Sequence, residues 1–230
     1  MDVVYVLGSD SHYDNDELRY SLRSIEKYLS GVGKVWIIGE CADWIENVRH
    51  IFYPDQPSKQ PDYNIMRKIC RAIEEPELSE DFLFFNDDHF LLHPFEAETF
   101  PYFFDKTLER YLKERGTDTY GKRAKNTLDH LKSKGLPCKH FDIHYPIIYN
   151  KSLFLQHVAQ AVDWSKEAYV IKSMYANSLS IEGTEAKDYK TGRELPPAAA
   201  KVFSTTPKFR YNIHRFLKEQ FNEVSRYERG

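Results

Sequence analysis

Phe82-Leu83-Phe84-Phe85-Asn86-Asp87-Asp88-His89 is the stretch on which the reading of this chain turns. Four apolar residues, three of them aromatic, stop abruptly at an amide, two carboxylates and an imidazole. A run this short, aromatic and bounded by polar residues predicts a buried strand. In an open α/β sheet the ligand crevice lies just beyond the carboxyl ends of the strands. Adjacent carboxylates there repel each other unless something positive sits beside them. Mg²⁺ or Mn²⁺ meets that need, since a hard divalent cation takes one or two carboxylates together with substrate phosphate oxygens. A second reading stands beside it. Asn and Asp favour turns, so the same residues also fit a solvated turn into the next apolar run, Phe90-Leu91-Leu92.

Upstream, strand and helix patterns alternate. Asp2-Val3-Val4-Tyr5-Val6-Leu7 reads as a buried first strand, broken by Gly8-Ser9-Asp10, the kind of turn where a nucleotide approaches an α/β backbone. Asp14, Asn15 or Asp16 caps a helix over about 17–29, whose Leu18, Leu22, Ile25 and Leu29 recur at helical spacing. Arg19 and Arg23 share one face of it, open either to phosphate or to neighbouring acids. Val35-Trp36-Ile37-Ile38, closed by Gly39, is a second strand, and residues 48–53 a third. A polar loop at 54–61, with Lys59, is either a ligand cover or plain surface. Residues 64–75 are helical, with Ile65, Ile69 and Ile73 inward and Arg67, Lys68 and Arg71 more exposed. This alternation predicts βαβ units and a largely parallel sheet.

Downstream the pattern loosens. Residues 95–104 are aromatic and irregular, and 106–134 read as one or two helices interrupted by Gly116 and Gly121. If His140-Phe141-Asp142-Ile143-His144 is extended, His140, Asp142 and His144 share a face. They then form metal ligands, a base with its orienting acid, or the wet face of an edge strand. Residues 151–162 and 167–178 look helical. Residues 183–200, with Pro196-Pro197, read as a flexible excursion. Phe203-Ser204-Thr205 and a basic, aromatic helix over about 213–227 close the chain.

With 230 residues, 41% hydrophobic and 15% aromatic, the chain reads as one α/β domain over 1–230, with a helical and loop-rich elaboration after about residue 95. A net charge of −3 without a basic block gives no nucleic-acid surface. No apolar run approaches the roughly 20 residues of a membrane span. The first residues enter a strand with no charged-then-apolar leader. With Cys41, Cys70 and Cys138 scattered and lacking metal-ligand spacing, the expectation is reduced thiols in a cytoplasmic protein.

Together these stretches resemble the Stealth family of sugar-phosphate transferases. Its members include bacterial capsule-polymer phosphotransferases and the catalytic subunit of the animal lysosomal-enzyme N-acetylglucosamine phosphotransferase. Asp2-Val3-Val4-Tyr5 is similar to the family's opening strand. Asp16-Glu17-Leu18-Arg19-Tyr20-Ser21-Leu22-Arg23-Ser24-Ile25, Tyr63-Asn64, Leu78-Ser79-Glu80 and Asn86-Asp87-Asp88 resemble its second region. His144-Tyr145-Pro146 resembles the His-x-Pro of the third, and residues 216–227 loosely resemble the family's ending. The opening strand lacks the family's Trp-Val-Asp-Gly turn. An Arg expected downstream of His144 is also missing before Arg193, leaving Lys166 or Lys172 as a substitute charge without a bidentate fork.

The resemblance implies a GT-A-like nucleotide-sugar transferase architecture with Asp87 and Asp88 at Mg²⁺ or Mn²⁺. It implies donor contacts near Gly8, Asp16, Arg19, Asn64 and Asn86, and a nucleotide-sugar donor with a saccharide acceptor. Catalytic roles fall on Asp88, on His144 as base, and on an Arg upstream of it, Arg123 or Arg115, that neutralises transition-state charge. Attack at the phosphorus nearest the sugar transfers sugar-1-phosphate. Two rivals use the same residues: a metal-dependent glycosyltransferase that moves the sugar itself, and a non-catalytic nucleotide- or carbohydrate-binding protein.

Overall fold

The computed structural model describes residues 1–8, 15–56, 60–116, 118–206 and 211–229. In its first half the chain runs through β1 (Asp2–Leu7), α1 (Asp16–Tyr28), β2 (Val35–Gly39), β3 (Arg49–Ile51), α2 (Pro61–Ile73), β4 (Asp81–Phe85) and β5 (His89–Leu91). Next come α3 (Leu108–Arg115), α4 (Thr119–Ser133), β6 (Ile147–Asn150), α5 (Lys151–Phe154), α6 (Ile171–Ser178), β7 (Lys190–Thr191), β8 (Val202–Thr205) and α7 (Tyr211–Gln220). The central sheet has the order β3-β2-β1-β4-β6, parallel except for the antiparallel β4–β6 pair.

All six positions of β1 are buried, which is why it reads as a continuous apolar run. Val3, Tyr5 and Leu7 pack with Leu18, Leu22 and Ile25 of α1. Val4 and Val6 pack with Met66, Ile69 and Ala72 of α2 on the opposite face. Alternation of side chains along the strand thus sorts one run into two cores. Both faces are covered, so polar residues are excluded until the strands end. The predicted Phe82–Phe85 strand is the centre of this arrangement, paired with β1 on one side and β6 on the other.

A second sheet sets β7, β8 and β5 side by side. Ser204 faces His89 across the antiparallel β8–β5 pair, and Lys190 faces Ser204 across the parallel β7–β8 pair. The 183–200 stretch therefore folds back as part of a sheet instead of forming a flexible excursion. Lys190–Thr191 pairs with β8, which itself covers the edge of β5.

Four further expectations change. Lys68 is 3% exposed: its ammonium donates to the Leu7 carbonyl and pairs with Asp55 at 2.6 Å, so ion pairing overrides the polar pattern of its helix. Residues 140–146 are not a strand, because the ladder to β4 begins only at Ile147. The last helix stops at Gln220, and the chain then crosses back over α1. The helix break at Gly116 is as read, with φ of 76°, whereas Gly121 lies inside α4 and packs against the Gly116 carbonyl. Ser9, Asp10, Asp14 and Lys59 lie outside the described residues. Asn15, at φ 58°, precedes α1 without a side-chain capping bond.

Candidate functional site

The site begins where β4 runs out of apolar residues. Asn86, Asp87 and Asp88 turn the chain into β5: the His89 N–H donates to the Asn86 carbonyl, and the Asn86 N–H donates to His89 Nδ1. Asp88 is buried, and its Oδ2 accepts from Lys190 Nζ and Ser204 Oγ, both at 2.8 Å. Burial works against this charge, but Lys190, with His89 and His144 nearby, holds the carboxyl well below the usual range. Burial and the charges of Asp88 and Glu17 instead push Asp87 up to about 7. Glu17, on the first turn of α1, is bonded by the Thr205 hydroxyl and is itself raised by burial. Three carboxyl groups thus gather around one ammonium.

His144 stands beside them. Its ring lies edge-on to His89 at 6.4 Å between centroids. Nδ1 of His144 meets Asp188 Oδ2 at 2.8 Å, and its backbone N–H meets Oδ1 at 3.3 Å. A carboxylate only accepts, so this contact puts a proton on Nδ1, and in the neutral ring it is Nε2 that carries the lone pair. Burial opposes the Asp188 charge, but the bond from His144 holds its carboxyl below the usual range. Asp188 and Lys190 alternate along one short segment, so one face of it engages both His144 and Asp88.

Of these groups, His144, Asp188 and Lys190 line a cleft of about 1080 Å³, together with Arg115, Lys187 and Tyr111, among others. Arg115 has no hydrogen-bond or ion-pair partner among the described residues, and Lys187 lies over the Tyr189 ring. Lys106 and Arg110 also reach this cleft but are engaged by Glu114.

Sequence reasoning brought only part of this together. Asp87, Asp88 and His144 are gathered in one place, and His140 and Asp142 line the same cleft as His144 but are engaged by other partners. His140 bonds Asp105 and Tyr120, and Asp142 accepts from the Lys172 and Ser173 backbone N–H groups at the start of α6. The three share the wall of one cleft without forming the face of a strand, and among the described residues they make no metal cluster. Arg123 is bound to Asp62 and lines a neighbouring cavity of about 500 Å³ with Lys166, whereas Arg115 lines the cleft. Gly8 sits against Asp55. Asp16 pairs with Arg19, and Arg19 with Glu228 while stacking on Trp44 at 4.1 Å. Asn64 exchanges two hydrogen bonds with the Gln56 backbone. Asn86 contributes its backbone to the turn. None of these five donor-site candidates lines the cleft. Asp188 and Lys190 were missed. Their signal was a charged alternation, Asp188-Tyr189-Lys190, inside a stretch dismissed for its prolines.

Among the described residues no three His, Cys, Asp or Glu side chains form a ready metal cage. The residues present nevertheless fit a cation that needs few protein ligands. Asp88 Oδ1 is buried with no hydrogen-bond partner, and Asp87 and Glu17 are crowded by like charge.

The sheet order and the position of the cleft define an α/β protein of GT-A-like architecture. A solved structure of an active-site mutant of LgtC superimposes with a TM-score of 0.54 at 10% identity, covering 96% of this chain and 95% of that one. Residues 11–110 match the family described as Stealth protein CR2, conserved region 2, so that stretch of the chain is similar to the Stealth family. The capsular polysaccharide phosphotransferase LcbA of Aeromonas hydrophila is 29% identical over 129 residues, 50% of this chain and 36% of that protein. LcbA of Neisseria meningitidis is 27% identical over 153 residues, 59% and 41% respectively. The matches span well under half the length of these relatives.

Proposed function

We propose that this chain transfers a sugar-1-phosphate from a nucleotide-sugar donor to a saccharide hydroxyl. One observation carries the reading: the His144–Asp188 dyad and Lys190, the partner of Asp88, line one cleft with Arg115, which has no hydrogen-bond or ion-pair partner among the described residues. The names of the capsular phosphotransferase relatives support the same chemistry.

His144 Nε2 takes the proton from the acceptor hydroxyl, while Asp188 holds the ring and stabilises the imidazolium that forms. The acceptor oxygen bonds to the phosphorus nearest the sugar. The bond from that phosphorus to the bridging oxygen breaks, and a nucleoside monophosphate leaves with the bridging oxygen. Arg115, in place of Arg123, and Lys190, in place of the missing downstream arginine, face the charge spread over the transferring phosphoryl group. Lys187 widens the cationic wall. Asp87 and Asp88, with Glu17 beside them, would hold Mg²⁺ or Mn²⁺, which shields the diphosphate charge when bound.

The test is incubation with a panel of nucleotide sugars, metal and acceptors, identifying the nucleotide released. Monophosphate release that falls at least 10²-fold in His144→Ala and Asp88→Ala is expected. Diphosphate release would sink the phosphosugar mechanism and leave a glycosyltransferase that moves the sugar itself. Donor binding without release of either would favour a binding protein.

A further inference from the structure

We propose that Lys172 is a positioning residue, which sets the angle of His144 by stapling the turn that carries it, and is not a phosphate-binding cation. The inference rests on the reading of His144 as the base. The Tyr145 N–H donates to the Ile143 carbonyl at 2.8 Å, a three-residue turn with His144 at its centre. Such a turn has little internal support, because one hydrogen bond fixes the direction of the central side chain. Lys172 Nζ donates to both flanking carbonyls, to Ile143 O at 2.8 Å and to Tyr145 O at 2.6 Å. The two oxygens diverge from one turn, and a tetrahedral ammonium with three donors reaches both.

The staple is reciprocated. Asp142, at the entry of the same turn, accepts the Lys172 N–H at 3.0 Å and the Ser173 N–H at 2.8 Å. The turn thus holds the first residues of α6 by a carboxylate, and α6 holds the turn by an ammonium. Asp188 grips His144 from the other side, on its backbone and on Nδ1. Between them Lys172 and Asp188 restrain both the main chain and the ring of one residue.

Lys172 is 7% exposed and does not line the cleft, so its charge does not face a substrate there. Burial also pulls its ammonium down to about 8. Holding a charge in such a place is costly, and an apolar side chain of similar volume would pack with less penalty. What an apolar side chain lacks is the pair of donors that the two carbonyls use. Misplacement of a base by about 1 Å is enough to cost on the order of 10²-fold in rate.

The experiment compares Lys172→Met and Lys172→Arg with the unmodified protein by ¹⁵N-histidine NMR and by steady-state kinetics, with the His144 signals assigned from their loss in His144→Gln. In Lys172→Met the Nδ1–H signal of His144 is expected to broaden or vanish. The turnover number falls about 10- to 100-fold with donor KM within threefold, and the Arg variant retains part of both. An unchanged His144 spectrum with turnover within twofold would overturn the proposal. So would a raised donor KM with turnover intact, the pattern of a phosphate contact. If Lys172→Met does not fold, Lys172→Gln, which keeps one donor, is read by the same signal. The spectrum needs no substrate. A protein that turns over no donor therefore refutes the transferase reading, while the spectrum alone decides whether Lys172 positions His144.

Discussion

Asp62 shows how one half-buried residue records its surroundings. It lies at the first turn of α2 and is paired with Arg123, yet burial outweighs that partner and pushes its carboxyl from 3.8 up to about 6. The folded protein therefore binds this proton more tightly than the unfolded chain does. The resulting contribution to stability is fully present below about pH 4 and is lost as pH rises through 6. It amounts to on the order of 2–3 kcal/mol. Asp62→Asn is expected to flatten the fall in urea midpoint between pH 4 and 7. An unchanged slope would mean that Arg123 compensates the charge fully. Arg123 itself illustrates a limit of motif reading. Two arginines stood upstream of His144 in sequence, and nothing local said which one a half-buried aspartate would capture.

At the scale of elements, the strand ends matter most. Gly39 closes β2 at φ of 121°, and a Cβ built there would lie 2.1 Å from the Leu7 carbonyl oxygen. Gly39→Ala is therefore expected to cost on the order of 3 kcal/mol, from left-half backbone strain and the clash with β1. Chemical denaturation would measure it. A loss under 1 kcal/mol would mean that the strand ends relax freely. The first half of the chain was legible because its strands and helices announce themselves by period, apolar for five or six residues and then repeating at helical spacing. β7 and β8 were not legible. A two-residue strand has no period to detect, and its existence depends on a partner, β5, that lies about 100 residues away. The turn at 143–145 escaped for a similar reason: beyond one internal hydrogen bond, its support comes from Lys172 of α6.

At the scale of the whole molecule, residues 221–228 bond back onto α1. Glu228 has a side chain 1% exposed and accepts from Arg19 and Arg23 of α1 and from Ser225. These bonds from Arg23 and Ser225 overcome the cost of burial and hold its carboxyl at about 2. This contribution is present above the ordinary glutamate range and is lost as pH falls toward 2. Glu228→Ala leaves two arginines against the core without their carboxylate. It is expected to cost about 3 kcal/mol, a fall in melting temperature of roughly 6–12 °C for a chain of this size. A shift under 2 °C would show that this segment adds nothing to global stability. Arg19 and Arg23, candidates for phosphate or for neighbouring acids in sequence, thus serve the second purpose.

The sequence by itself determined the α/β class, the central strand, the position of Asp87 and Asp88 at its carboxyl end, and the resemblance to the Stealth family's second region. All of these follow from local periodicity or from contiguous motifs. Only the tertiary structure decided what surrounds those carboxylates. Lys190 reaches Asp88 from 102 residues away, and Asp188 reaches His144 from 44. It also decided which arginine faces the cleft and why Lys172 does not. Burial, pairing and charge crowding are properties of neighbours in space, and no spacing along the chain encodes them.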